Sequence, residues 1–253
     1  MIEKVENGIT YFQFPNLAVF PEIRHGIFTR KNGFSSGPYA GLNVGFGVED
    51  DPDSVMKNRN AISNVMGGAD FVPLRQVHGT DVIVYDGDHY GSLKKVPKGD
   101  AVITDKRNIS LLIAVADCQA VLMYDPVKKI AANIHSGWRG SINNIIECTI
   151  NSMKDRFGSL PADIVAGVGP SLGPCCAEFV NYRKEIPEKY WSFMISENHF
   201  DFWAVSNGQL CDSGVLPENI HIGGMCTKCN ADLFFSYRGN NKTGRFATVI
   251  CMV

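Results

Sequence analysis

The sequence predicts a mixed α/β fold of the α+β kind, on three observations. Four apolar, strand-like runs follow one another from residue 100 to 136: DAVIT, SLLIAVAD, AVLMYD and KIAANIH, joined by short turns. Helical patterns stand between clusters of strands and do not alternate with single strands, so no regular βαβ repeat is read. No repeat, charge block or low-complexity linker divides the 253 residues, which are expected to form one domain over 1–253.

Taken in order, residues 1–50 alternate short apolar runs with glycine-rich turns such as KNGFSSGPYAGLNVGFG, a pattern of strands and loops. Asp51-Pro52 opens a helix expected to reach about Met66, because Asp caps and Pro is tolerated in a first turn. VPLRQVHGTDVIVYD reads as two strand-like pieces hinged at Gly79. After the four central strands, residues 138–157 read as one helix, with Ile142, Ile145, Ile146, Thr149, Ile150 and Met153 at helical spacing. DIVAGVG is a further strand, followed by a helix entering at Gly173-Pro174. Residues 187–201 read as irregular, 202–211 as helical and 245–252 as a closing strand.

Composition narrows the function. Hydrophobic residues at 45% and charged residues at 20% are ordinary for a soluble globular protein. A net charge of −2 gives no electrostatic case for nucleic acid or an anionic membrane. No apolar run approaches the roughly 18 residues that a membrane span requires. MIEKVENGITYFQF lacks the apolar core of a secretory signal, so a cytoplasmic protein is expected. Its eight cysteines are therefore expected to be reduced thiols, with Cys118, Cys148 and Cys251 in apolar surroundings.

NIHSGWRG ends an apolar strand with imidazole, indole and guanidinium beside two glycines. SLLIAV runs into Ala116-Asp117-Cys118, and VPLRQV leads to His78. A strand pair can set Cys118 near His135, and a third segment can bring His78 to them. One cysteine and two histidines so far apart in sequence cannot form a local finger. Three ligands with a vacant position are the catalytic arrangement for zinc, and the same set suits copper. The alternative is a hydrogen-bonded histidine and an inert, packed thiol. Cys226-Thr227-Lys228-Cys229 is a CxxC with no second CxxC to face it, and vicinal Cys175-Cys176 makes a poor zinc pair. GVGPSLG fails the dinucleotide fingerprint, because its third glycine is one place late and Pro170 removes a donor. Asp86 and Asp88 beside His89 read as a solvated turn, Trp138 as core, and Arg245 near Arg238 as loop charge.

Together FTRKNGFSSGPYAGLNVGFGVEDDPDSVMKNR, LRQVHG, GDAVITD, VADCQAVLMYD, HSGWRG, GVGPSLGPCCAEF, CT and FFSYRGNNKTGR resemble the laccase-domain family, also called multicopper polyphenol oxidoreductase-like proteins. The segments run in family order from near residue 28 to 250, and the ordered set is far more specific than any one of them. Members of that family are described as zinc-dependent purine nucleoside phosphorylases. The resemblance implies a metal on the histidine of QVHG, the cysteine of ADC and the histidine of HSGWRG. Here these are His78, Cys118 and His135, which are then the catalytic residues as well. Zinc is the expected ion, with copper as the alternative. Ser136 stands where the family usually has alanine, and CCAEF where Tyr-Glu-Val is common, which removes any substrate contact from that tyrosine.

The fold implied by the resemblance is an α/β/β/α sandwich similar to cysteine hydrolases of the cytotoxic-necrotizing-factor type. The implied reaction is phosphorolysis of adenosine, inosine or guanosine to the free base and ribose 1-phosphate, so the partners are purine nucleosides and phosphate. Phosphorolysis of methylthioadenosine and deamination of adenosine accompany it in the family. Arg59, Arg139 and Arg238 are the candidate anion holders, and Asn43 and Gln76 the candidate polar contacts to substrate. One rival is a copper-dependent polyphenol oxidase. The chain has six histidines and no HxH pair, so it can seat few coppers. Another rival is a Cys-His amidase acting on peptidoglycan precursors, with Cys118 as nucleophile. A third is a metal-binding protein without catalysis.

Overall fold

The computed structural model describes residues 1–87 and 96–253, so Asp88 and His89 of the polar turn lie outside the described residues. The chain begins with strands β1 (Ile2–Glu6), β2 (Ile9–Gln13) and β3 (Ile23–Phe28), followed by helix α1 (Pro52–Val65). Short strands β4 (Asp70–Phe71) and β5 (Val82–Tyr85) lead to β6 (Ala101–Thr104), β7 (Ile109–Val115), β8 (Gln119–Asp125) and β9 (Ile130–Ser136). Helices α2 (Trp138–Ile142) and α3 (Ile145–Phe157) precede β10 (Val165–Val168) and α4 (Tyr182–Glu185). A ribbon of β11 (Met194–Ser196) and β12 (His199–Phe200) leads to α5 (Phe202–Asp212), β13 (Ile220–Ile222) and the closing strand β14 (Phe246–Met252).

Among the described residues two six-stranded sheets form, in the orders β1-β2-β3-β14-β7-β4 and β13-β10-β8-β9-β6-β5. Strand alternation decides what lies between them. In β7, Leu111, Ile113 and Val115 meet Val102, Leu122, Tyr124 and Ala131 of the other sheet. Leu112 and Ala114 point the opposite way, toward Ile62, Val65 and Met66 around α1. The far face of the second sheet gives Val121, Met123, Ala132 and Ile134 to Ile145, Ile146, Ile150 and Met153 of α3 and Leu210 of α5. The layers are thus helix, sheet, sheet, helix. Strands β8 and β9 are covered on both faces and buried along their whole length. Each fully buried aliphatic side chain contributes about 1.5–3 kcal/mol. Asn133 sits within this core and donates from Nδ2 to the carbonyls of Leu111 and Thr248, at 2.9 Å each, so a fully satisfied amide ties the sheets together.

Local chemistry sets the ends. The Asp51 carboxylate accepts from the amides of Asp53 and Ser54, capping α1 as the sequence predicts. The single helix expected over 138–157 is instead two. Asn144 takes a left-handed conformation (φ 58°) and caps α3 by accepting from the Glu147 amide. Of the two strands expected in VPLRQVHGTDVIVYD only β5 forms. Residues 72–79 run as irregular chain, and the reversal falls on His78 (φ 60°), one residue before the expected Gly79. No helix enters at Gly173-Pro174; turns follow, because Cys176 and Ala177 both donate back to the Gly173 carbonyl. The irregular stretch 187–201 does carry the β11–β12 ribbon. Among the described residues no helix is long and apolar enough to cross a membrane.

His25 is 1% exposed and stacks on Phe14, and its Nε2 accepts the Phe14 amide at 2.9 Å. Burial pushes its pKa down to about 4, against an ordinary value of about 6.5. The folded chain therefore binds fewer protons than the unfolded chain between these values. Stability should be full above pH 6.5 and fall as pH drops toward 4, by about 2 kcal/mol between pH 8 and pH 5. Urea unfolding at the two pH values measures this. His25→Gln keeps an acceptor for Phe14 without a titrating ring and should abolish this part of the loss.

Candidate metal centre

The site is organised around Asp100, a fully buried carboxylate at the entry to β6. Its oxygens accept the backbone amides of Val77, His78 and Gly79, at 3.1, 2.9 and 2.7 Å. Successive amides converging on one anion form a nest, and His78 can reach the left-handed conformation because that anion holds it there. The same carboxylate lies 2.7 Å from Nδ1 of His135, at the end of β9. Its backbone carbonyl also accepts the His135 amide. One side chain thus fixes both histidines. With Nδ1 of His135 spoken for, its Nε2 is left for a ligand, the usual carboxylate–histidine arrangement behind a metal. Burial works to raise the Asp100 pKa, but the hydrogen bonds from His135 and from the Gly79 and His78 amides lower it below its ordinary value.

Cys118 completes the group. Strand β7 belongs to one sheet and β8 to the other, so residues 116–118 form the corner between them. Asp117 makes this corner in the left-handed region (φ 81°). Its carboxylate accepts the Thr227 hydroxyl at 2.6 Å and the Arg238 amide at 2.5 Å. Strand β8 then pairs with β9, placing Ala120 opposite His135. The Cys118 Sγ lies 3.8 Å from Nε2 of His78, and the two imidazole rings stand edge to face at 4.7 Å. One ligand atom from each of His78, Cys118 and His135 lies within 4.8 Å of the others, a set able to hold a tetrahedral ion with one position open. His78 is exposed, Cys118 half-buried and His135 buried, so the group faces solvent from one side. Gly137 packs against it: a Cβ there would lie 2.8 Å from Cδ2 of His78 and 3.2 Å from the Cys118 sulfur.

The electrostatics favour a thiolate. Burial pushes the Cys118 thiol up, but His135 and then His78 outweigh it and bring it to about 6. Burial pushes His135 down, but the Cys118 sulfur and the Asp100 carboxylate raise it to about 9. Zinc or copper would bind the thiolate directly and would have to displace the proton that this pairing holds on His135.

The five expected substrate contacts are placed differently. Arg238 is exposed, beside Asp117, and its Nη1 donates to the Glu178 carbonyl at 2.9 Å. Arg139 is exposed and lies 4.1 Å over the Trp138 ring. Trp138 is itself half-buried against Phe179 and not in the central core. Arg59 donates to the Val44 carbonyl and stacks on Phe46, and burial lowers its guanidinium to about 10. Gln76 forms a two-way pair with the Ala114 backbone at 2.9 and 3.0 Å, fastening the His78 segment to β7. Asn43 is wholly buried; its Oδ1 accepts the amides of Gly45 and Arg245, and its Nδ2 donates to Asp50. Two residues carry more than the sequence reading gave them. Asp100 was passed over inside GDAVITD. Arg245 is half-buried, pulled below its usual pKa by burial and upheld by the negative charge of Cys118 and Asp117. Arg245, Lys242, Tyr39 and Tyr237 line a cleft of about 380 Å³. Neither this cleft nor another of about 410 Å³ around Tyr182, Arg183 and Lys184 is lined by any of the three candidate ligands.

A family model described as multi-copper polyphenol oxidoreductase laccase matches residues 24–253. The chain is 32% identical to a purine nucleoside phosphorylase of Deinococcus radiodurans, over 96% of this chain and 93% of that one. It is 36% identical to purine nucleoside phosphorylase SCO2081 of Streptomyces coelicolor, over 88% and 92%. The crystal structure of YlmD from Geobacillus stearothermophilus superposes with a TM-score of 0.87 at 27% identity, covering 99% of this chain and 98% of that one.

Asp100→Asn leaves three amides and an imidazole to share one neutral acceptor. It should weaken zinc binding by about 10- to 100-fold, read by competition with a chromophoric chelator. Asp105→Asn, on the surface, should leave binding unchanged. Gly137→Ala meets no backbone strain (φ −70°), so its added methyl acts only by displacing His78 or Cys118. It should lower zinc affinity while leaving the melting temperature within about 2 °C, since a ΔΔG near 0.5 kcal/mol shifts it no further.

Proposed function

The chain belongs to the multi-copper polyphenol oxidoreductase laccase family, and from that premise we propose that it is a zinc-dependent purine nucleoside phosphorylase. It splits adenosine, inosine and guanosine with inorganic phosphate, and phosphorolysis of methylthioadenosine and deamination of adenosine are side activities of the same centre. Its 253 residues act as one domain. The observation that carries this proposal is the convergence of His78, Cys118 and His135 on one point, in a chain whose relatives bear that enzyme's name. The cytoplasm, where thiols stay reduced, suits a protein whose eight cysteines are all free.

In phosphorolysis a phosphate oxygen bonds to C1′ of the ribose while the bond from C1′ to the purine nitrogen breaks. The bonding pair leaves with the base, which takes up a proton. The protein must therefore gather a phosphate dianion and hold it against C1′ while charge redistributes. Arg245 and Lys242 along the cleft, with Arg238 on the adjoining loop, are the cations for that task; a guanidinium can grip phosphate through two donors at once. Arg59 and Arg139 are the outlying candidates. Asn43 acts from behind by fixing the Arg245 backbone, and Gln76 by fixing the segment that presents His78. His78, Cys118 and His135 would hold the zinc ion, which when bound would supply a Lewis acid.

One observation favours different chemistry. With Cys118 only 3.8 Å from His78, sulfur and imidazole can also serve as nucleophile and base. That hydrolase, an amidase similar in fold to cytotoxic-necrotizing-factor-type enzymes, works without metal.

Protein purified without a histidine tag should contain zinc and, with phosphate present, release hypoxanthine from inosine. No hypoxanthine with zinc and phosphate supplied would rule out phosphorolysis of that nucleoside. Arg245→Ala should raise the KM for phosphate at least 10-fold, about 1.4 kcal/mol, and leave the KM for inosine nearly unchanged. Chelator-resistant amidase activity lost in Cys118→Ser would replace the phosphorylase with the hydrolase, and copper with phenol oxidation would replace it with the oxidase.

A further inference from the structure

Strands β10 and β13 are parallel neighbours, with Val168 beside Ile222, so both chain segments leave the sheet at the same end. Residues 169–181 follow the first and 223–236 the second, and neither contains a regular strand or helix. They are laced together by backbone bonds: Ser171 donates to Met225, and Thr227 donates to Ser171. Gly173 permits the closest approach, since a Cβ there would lie 2.9 Å from the Cβ of Cys226. The lacing sets the vicinal pair Cys175-Cys176 against the CxxC of Cys226 and Cys229. No second CxxC faces it, as expected; what faces it is the vicinal pair that the sequence reading sets aside as a poor zinc pair.

All four sulfurs lie within 4.8 Å of one another, and Cys229 is 3.6 Å from both Cys175 and Cys176. A zinc–sulfur bond of about 2.3 Å makes the edge of a four-sulfur tetrahedron about 3.8 Å, whereas a disulfide needs about 2.05 Å. The separations match the first. The backbone amides of Gly173 and Cys229 face the buried sulfur of Cys226. Positive charge is at hand in Lys228, inside the CxxC, and in Arg238, whose Nη1 reaches the carbonyls of Cys176 and Glu178. These charges offset the two net negative charges of a divalent ion with four thiolates.

We propose that Cys175, Cys176, Cys226 and Cys229 form a closed, structural zinc site that staples the 169–181 and 223–236 segments together. Four thiols give up their protons on binding, and no position is left open for substrate. The staple lies next to the reacting region: Thr227, inside the CxxC, and Arg238 hold Asp117, the residue before Cys118. The site stands independently of what His78, Cys118 and His135 do.

The test is metal content and cadmium spectroscopy on untagged, full-length protein. Cys175→Ser/Cys229→Ser, which changes two exposed residues, should carry one zinc per chain fewer than the parent. His78→Ala/His135→Ala should retain the zinc that the cysteine variant loses, so failure of the catalytic proposal leaves this result untouched. In the intact chain loaded with cadmium-113, one resonance should fall at the far-downfield position of a four-thiolate ion. It should be absent from the cysteine variant. Three results would overturn the proposal: equal metal in parent and cysteine variant, iron in place of zinc, or disulfides among these cysteines when the unreduced chain is alkylated and weighed.

Discussion

Everything at the candidate centre depends on one buried carboxylate. Asp100 would be expensive to bury alone, since a charge without partners costs several kcal/mol in a protein interior. It is buried because five donors reach it: four groups from the 77–79 turn and from His135 meet its side chain, and the His135 amide meets its carbonyl. The dependence runs both ways. Without Asp100, three adjacent amides would point at nothing, and His78 would have no reason to remain in the left-handed region. The interaction that makes the carboxylate tolerable thus also aims two imidazoles at the same place.

That place exists because of how the sheets are layered. β8 and β9 are buried on both faces, so their side chains have no freedom to shift, and their ends move only if the core does. Cys118 sits where the chain passes from one sheet to the other, and His135 where β9 gives way to α2. Sites built at the ends of rigid strands hold their geometry better than sites on loops. The loops contribute what must be open to solvent: His78, Arg238 and the Arg245 cleft. Gly137 belongs to neither group. It is the absence of a side chain that lets the rings and sulfur close together.

Much of this was legible in the sequence. The apolar runs from residue 100 to 136 became four strands because each is too short for a buried helix and is bounded by turns, and Asp51-Pro52 began α1 by ordinary capping chemistry. HSGWRG, VADC and QVHG announced their residues by being out of place: polar, ligand-type side chains at the ends of apolar segments. The helix over 138–157 was misread because periodicity cannot register a single left-handed asparagine, and Asn144 breaks the helix without disturbing the apolar spacing. Asp100 left no signal, since an aspartate before a strand is common and its five donors come from distant segments. Asn43 and Gln76 are expected as substrate contacts from the family-matching motifs and side-chain chemistry; the sequence could not show that Gln76 also pairs with the Ala114 backbone and Asn43 with Asp50 and the Gly45 and Arg245 amides.

The four cysteines show the limit most plainly. Sequence spacing shows each local pair, Cys175-Cys176 and Cys226/Cys229, but not that the two pairs meet, which is the work of topology. Because β10 and β13 run parallel and side by side, the segments that follow them start at the same end of the sheet, and the bonds of Ser171 with Met225 and Thr227 bring them together. Asp117 then joins that region to the centre: its carboxylate holds Thr227 and Arg238, and its carbonyl accepts the Leu172 amide at 2.8 Å. The segment that ends in a thiolate is therefore gripped from both cysteine-bearing loops. A change in those loops reaches Cys118 through a single residue held in a conformation that few side chains adopt willingly. An ion bound between the loops would reduce their freedom to move, and the sulfur beside Asp117 would be the first group to benefit.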